Sequence, residues 1–213
     1  MKVAALILTM FLAAVSAAGQ GLTVKNDIPE SQYLAAGAKA AELLKTANYR
    51  AVWTKEYFND RSTTATLQEK TLSEVIRPDK RRTVQEKFGS KPSREEIITD
   101  GTGFYFRTND GPWSKRGLGN GSGVRFVPME ERIQVRFLPA VEFEGGKADF
   151  YEHVTIRPMS KASKNKPFVF RYVITTRSWF SAEGKILKKI VATAIEDNPD
   201  MARETTTYEY DPK

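Results

Sequence analysis

The chain has no cysteine in its 213 residues and a single histidine, His153. The first absence removes disulfides, thiolate metal sites and cysteine nucleophiles together. The second leaves a metal little but carboxylates, a donor set suited to calcium or magnesium, and no stretch spaces its acidic residues as a calcium loop does. There is no Gly-x-Ser-x-Gly elbow. Gly117 to Gly123 carries four glycines at alternate positions, yet lacks the Gly-Lys-Ser/Thr ending of a phosphate loop, and reads as a flexible connection. Glu95-Glu96 and Glu130-Glu131 are adjacent carboxylates, and neighbours on a strand point to opposite faces, so neither pair makes one site. His153, beside Glu152 on a strand, is read as a hydrogen-bonded or solvated residue rather than a base or ligand. No catalytic residue, metal site or cofactor is expected, and the chain reads as a non-enzyme. A carboxylate pair brought together across a cleft is the enzymatic geometry that sequence leaves open.

Long apolar runs are equally scarce, with one informative exception at the start. Lys2 is followed by an almost wholly apolar stretch, Val3 to Val15, and then by the small residues Ser16 and Ala17. A run of about 13 apolar residues is too short to span a bilayer, which takes roughly 20. Residues 1–17 are therefore read as a cleavable signal peptide, with an N-terminal membrane anchor as the alternative, and residues 18–213 as a single domain. No cysteine stands ready for lipid attachment, and a disulfide-free exported domain suits a bacterial periplasm or cell surface. The expected location is periplasmic or secreted. Thirty-three basic residues against 26 acidic ones give +7, spread along the chain. Such a surface attracts anionic lipid mildly. A nucleic-acid partner is not expected, because no groove-reading motif accompanies the charge.

What is present is periodicity. Asp27-Ile28-Pro29-Glu30 has the form of a helix start, with a capping aspartate and proline in the first turn. Tyr33, Ala36, Ala40, Leu43, Leu44 and Ala47 then recur at helical spacing, predicting one amphipathic helix that ends near Ala47-Asn48. After Asn48 the period becomes two. Strands are predicted from Tyr49, over Thr63–Ile76, and over Lys80–Glu86, the last polar and placed at a sheet edge. Asp100-Gly101 and Asp110-Gly111 suit tight hairpin turns with positive φ. Further alternation marks Ile133 to Phe137, Asp149 to Arg157, Phe168 to Thr175, Lys185 to Ile195 and Glu204 to Tyr210. One helix with about nine to eleven antiparallel strands defines an α+β protein with an open, curved sheet or barrel.

Large apolar side chains at alternating positions are the conspicuous surplus: Trp53, Phe104, Phe106, Phe137, Phe168, Phe170, Tyr172 and Trp179. They are the candidate ligand-binding residues. Their ordinary use is as core beneath the helix. A helix of about 20 residues covers only part of so many strands, so the remaining apolar face must meet another segment, a partner or a ligand. The stretch from 116 to 145 is one segment that could supply cover.

The order of the motifs carries a resemblance. Tyr49-Arg50-Ala51-Val52-Trp53 is followed by Val75-Ile76-Arg77-Pro78-Asp79-Lys80-Arg81, by Glu96 to Gly101, by Phe104-Tyr105-Phe106-Arg107 and by Asn109 to Lys115. Ser178-Trp179-Phe180 to Lys188 and Thr207-Tyr208-Glu209-Tyr210-Asp211 come late. This arrangement resembles the LolA-like superfamily of periplasmic lipoprotein carriers and LppX-like exported proteins, over nearly the whole chain after residue 17. The resemblance implies a curved antiparallel half-barrel with the N-terminal helix packed on its concave face, and a hydrophobic ligand such as a lipid or lipoprotein acyl chain. Transient contact with an anionic membrane surface or envelope proteins is a further expectation, the former from the net positive charge. The alternative function is a non-enzymatic protein-interaction or envelope-sensor module of the same fold. Lid helices are not legible after the glycine-rich loop, a departure from the family pattern.

The export reading has a direct check. Intact mass of the protein from the envelope fraction is expected to place the N-terminus at Ala18 or Gly19, and a full-length mass in the membrane pellet would contradict it.

Overall fold

The computed structural model describes residues 27–58, 64–116, 132–161, 168–195 and 200–212. Residues 1–17, read from sequence as a signal peptide, lie outside the described residues, as do Gly117 to Gly123 and Glu130-Glu131. One helix, α1 (Glu30–Thr46), precedes eleven strands: β1 (Tyr49–Phe58), β2 (Ala65–Ile76), β3 (Lys80–Lys87), β4 (Ser93–Thr99), β5 (Phe104–Thr108), β6 (Ser114–Arg116), β7 (Arg132–Phe143), β8 (Gly146–Lys161), β9 (Phe168–Phe180), β10 (Ile186–Ile195) and β11 (Ala202–Tyr210). All eleven belong to one sheet in the order β6-β5-β4-β3-β2-β1-β11-β10-β9-β8-β7, with every pairing antiparallel. β6 and β7 are the two edges and do not pair with each other, so the sheet is open. A twisted sheet of this width curls rather than staying flat. The result is the curved half-barrel with an N-terminal helix that the sequence implies.

The local chemistry explains several boundaries. α1 has no side-chain cap: its N-cap is Pro29, in an extended conformation. Asp27 instead bridges to Arg136 on the β7 edge, and the Ile28 N–H donates to the Val135 carbonyl at 3.1 Å. The expected aspartate cap is thus displaced by an edge-strand contact, which satisfies backbone groups that β7 would otherwise leave unpaired. The helix ends as expected, with the Ala47 N–H closing on the Leu43 carbonyl at 3.0 Å. Gly101 has φ +84, as its hairpin requires. In the β5–β6 turn the left-handed pair is Asn109 and Asp110, at φ 50 and 57, and the Gly111 N–H donates to the Thr108 carbonyl. The turn therefore sits one residue earlier than Asp110-Gly111, with asparagine and aspartate tolerating the left-handed region.

β3 is an interior strand, not an edge. Its polarity is explained by what faces it. Cross-strand pairing places Glu209, Arg50, Glu74, Arg82, Glu96 and Arg107 on one face of six consecutive strands, β11, β1, β2, β3, β4 and β5. Arg50 contacts Glu209 at 3.2 Å and Glu74 at 3.0 Å; Arg82 contacts Glu74 at 3.1 Å and Glu96 at 2.7 Å; Arg107 contacts Glu96 at 2.7 Å. Glu74 and Glu96 each stand between two guanidinium groups, and Glu209 ends the row on Arg50. Ion pairs of alternating sign along a sheet face stabilise the register, because a slip of one residue would send every member to the other face. A second, smaller group repeats the device, with Glu152 between Arg136 at 3.4 Å and Arg177 at 2.9 Å.

The opposite face carries α1. Ala40, Phe180 and Ile186 form a small buried cluster, with Ala36, Leu44, Tyr151 and Tyr208 packed against it. The Tyr210 hydroxyl donates to the Ile186 carbonyl at 3.1 Å, and burial pushes its pKa up to about 12.

Glu96 offers a test of the charged face. Its residue is 4% exposed, and hydrogen bonds first from Arg107 and then from Arg82 hold its pKa below the ordinary carboxylate value. Glu74 is shifted the same way, chiefly by Arg50. A depressed folded-state pKa means that the stabilisation is fully present above the ordinary carboxylate range and is lost as pH falls through the folded value. Glu96→Gln is expected to cost about 2 kcal/mol near neutral pH. Denaturation midpoints should converge with wild type as the medium is acidified.

Candidate functional site

The helix-bearing face is the candidate ligand surface. Strand register defines its members: Ile133, Val135 and Phe137 on β7; Tyr151, His153 and Thr155 on β8; Tyr172, Ile174, Thr176 and Ser178 on β9; Val191, Thr193 and Ile195 on β10. Register continues it through Ala202, Glu204, Thr206 and Tyr208 on β11 and Tyr49, Ala51, Trp53, Lys55 and Tyr57 on β1. It reaches Ile97 on β4 and Phe104 and Phe106 on β5 by way of Thr71, Ser73, Thr83 and Gln85 on β2 and β3.

α1 covers one end of this face. Its first turns meet β8, where Tyr33 stacks on His153 at 4.9 Å and lies 6.0 Å from Tyr151. Its last turn meets the β2–β3 connection, where the Arg77 guanidinium donates to the Leu44 carbonyl at 2.5 Å. Between these points it lies over Phe180, Ile186 and Tyr208, near the ends of their strands. The far end of the same face holds Tyr57, Ala202, Thr193, Ile174 and Thr155 in one cross-strand row, and Tyr172 beside Ile195 in the next. None of these belongs to the cluster under α1. Trp53 is half-buried, and its two directly opposed residues are Thr71 and Thr206, so no apolar side chain faces it across the ladder.

The eight sequence candidates divide accordingly. Trp53, Phe104, Phe106, Phe137 and Tyr172 lie on the helix-bearing face, and the pairings Phe168↔Lys161 and Phe170↔Met159 give those two positions the same register. Phe137 packs on Tyr151 at 4.8 Å, within the region that α1 covers. Phe104 and Phe106 adjoin each other at 6.1 Å on β5, four strands from Trp53 across the polar β2 and β3. Trp179 lies on the other face, beside Phe150 at 5.0 Å and Phe143 at 5.8 Å. The Ile186/Lys188 register shift and strand alternation put it opposite Phe180. Ile174 shares its strand face with Tyr172, as alternation predicts, and the register adds Ile195 and Tyr57. Their alternation along each strand was legible, but the pairing that sets the strands side by side was not.

His153 is anchored rather than free. Its Nε2 lies 3.2 Å from Glu30 Oε1 and its Nδ1 lies 3.4 Å from the Thr155 hydroxyl, while the ring stacks on Tyr33. These contacts tie the first turn of α1 to β8. Among the described residues there is no group of three or more histidine, aspartate or glutamate side chains placed to hold a metal.

No protein-family model matches the chain, and no curated protein matches it. It is similar in structure to LprF from Mycobacterium bovis, at 8% identity and a TM-score of 0.40, over 88% of this chain and 96% of that one. It is also similar to an outer membrane lipoprotein-sorting protein domain from Vibrio parahaemolyticus, at 10% identity and a TM-score of 0.26, over 84% of this chain and 90% of that one.

The anchoring of α1 yields a prediction. His153→Ala removes the Glu30 contact and the Tyr33 stack, and is expected to cost about 1 kcal/mol in chemical denaturation. Binding of an acyl probe should persist, since the substitution lies at the covered end of the face.

Proposed function

We propose that the protein binds a hydrophobic ligand, a lipid or acyl chain, on the part of the helix-bearing face that α1 leaves uncovered, and that it serves as a carrier in the periplasm. The observation that supports this reading most is the mismatch between helix and sheet. The buried cluster joins the helix to a few residues near one end of the strands. Trp53, Tyr57, Tyr172, Ile174 and Ile195 share the same face outside that cluster. An apolar chain laid there gains about 0.8 kcal/mol per buried methylene, so a long acyl chain would be held firmly without any directional contact. Phe168 and Phe170 extend the surface by register, and Phe104 and Phe106 form a separate apolar pair toward the β6 edge. The resemblance seen in the order of the sequence motifs points to the same ligand class. The residues that would bind are Trp53, Tyr172 and Ile174, and neither nucleophile nor acid–base pair is required of them.

Trp53→Ser separates a ligand surface from a filled core. In a filled core, loss of the ring and burial of a hydroxyl would cost several kcal/mol. On an open face the cost to the ligand-free protein should stay near 1 kcal/mol. Saturable uptake of a fluorescent acyl probe should fall at least fivefold. Absence of saturable uptake by wild type, or collapse of the fold in the variant, would favour the interaction-module reading.

A further inference from the structure

A cleft of about 620 Å³ lies at the end of the sheet where the ends of β2 and β4 meet the start of β3, with Arg50, Glu74, Ile76, Lys80, Arg82 and Ile98 on the face opposite α1. Four cations line it, Arg50, Lys80, Arg81 and Arg82, against two carboxylates, Glu74 and Asp100. The carboxylates are already engaged. Glu74 holds Arg50 and Arg82, and Asp100 accepts from the Thr102 N–H at 3.0 Å and its hydroxyl at 2.7 Å. Lys80 has no carboxylate within 4 Å among the described residues, and Arg81, which strand alternation turns to the helix-bearing face at the same sheet end, meets only the Ser73 hydroxyl there, at 3.5 Å. Two positive charges are thus left over at one end of the sheet.

Exposed apolar side chains stand with them. Ile76 is 58% exposed and Ile98 36% exposed, and both line the same cleft. Ile98 pairs across the ladder with Tyr105, and the Lys115 ammonium lies 5.0 Å from the Tyr105 ring centroid. Water leaves this combination unsatisfied in part, since the isoleucines gain nothing from it. An anionic bilayer meets both needs: its headgroup phosphates oppose the cations, and the region beneath them accepts the isoleucine side chains.

We propose that this end of the sheet, centred on Ile76, Lys80, Arg81 and Ile98, docks onto an anionic lipid bilayer. The docking goes beyond acyl-chain binding, does not depend on it, and uses a different part of the molecule. It would set a carrier beside a membrane with its helix-bearing face free.

The test is sedimentation of the processed protein with phosphatidylcholine vesicles, with and without phosphatidylglycerol. Lys80→Gln/Arg81→Gln is compared with Lys70→Gln/Lys87→Gln, which removes the same charge from exposed positions at the other end of β2 and β3. Wild type should prefer the anionic vesicles. The first pair should lose about thirtyfold in affinity for them, and the second pair less than about fivefold. Ile76→Asn should weaken binding further at high salt, where the ionic part is screened. Equal losses in the two pairs, no loss in the first, or no preference by wild type would overturn the proposal. Binding to polyglutamate without binding to vesicles would also overturn it, in favour of an acidic protein partner. Acyl-probe uptake without vesicles, measured on the Lys80/Arg81 variant, keeps this outcome separate from that for the ligand face.

Discussion

Everything distinctive here follows from a shortage of helix among the described residues. Seventeen residues of α1 extend about 26 Å, whereas ten strand-to-strand spacings across eleven strands amount to about 48 Å of sheet. One element cannot bury a surface nearly twice its length. The molecule answers in two ways. Between β1 and β4 the helix-bearing face becomes polar, with Thr71, Ser73, Thr83 and Gln85 in place of apolar side chains. Toward β9 and β10 it keeps the half-buried apolar side chains Tyr172, Ile174, Val191 and Ile195.

The face without the helix solves a different problem. It has no covering layer at all among the described residues, so its stability has to come from within the sheet. Arginine and glutamate alternate across six strands, with Glu74 and Glu96 each bracketed by two guanidinium groups. Pairs of this kind are individually weak when exposed. Linked into a row about the buried Glu96 they favour one register, which is the property an open sheet of this width most needs. Two residues along β3 from Arg82, at Lys80, the charge is no longer matched by a carboxylate among the described residues.

The helix, the number of strands and most turns were legible because they are local: period, caps and Asp-Gly pairs act over a few residues. Errors arose where a distant strand intervened. Asp27 gave up its cap for Arg136, more than a hundred positions away, and β3 looked like an edge because its partners' charges were out of sight. The candidate ligand residues were found by alternation, which assigns sides within one strand but not between strands. Phe180, not Trp179, faces the helix for that reason, and Ile195 joined the surface when β9 and β10 were paired.

The strand order also says how such a chain could assemble. β1 to β6 follow one another as neighbours, and so do β7 to β11, so each half is a meander built from sequence-adjacent hairpins. A single seam joins them, from Tyr49 opposite Tyr210 to Tyr57 opposite Ala202. The halves close their own contacts over short loops, while the seam brings together the first strand to be made and the last. Loop-closure entropy makes that pairing the slow one. During synthesis the first meander must therefore wait with its β1 edge unpaired until the C-terminal strand arrives, an interval in which that edge is open to pairing with another chain.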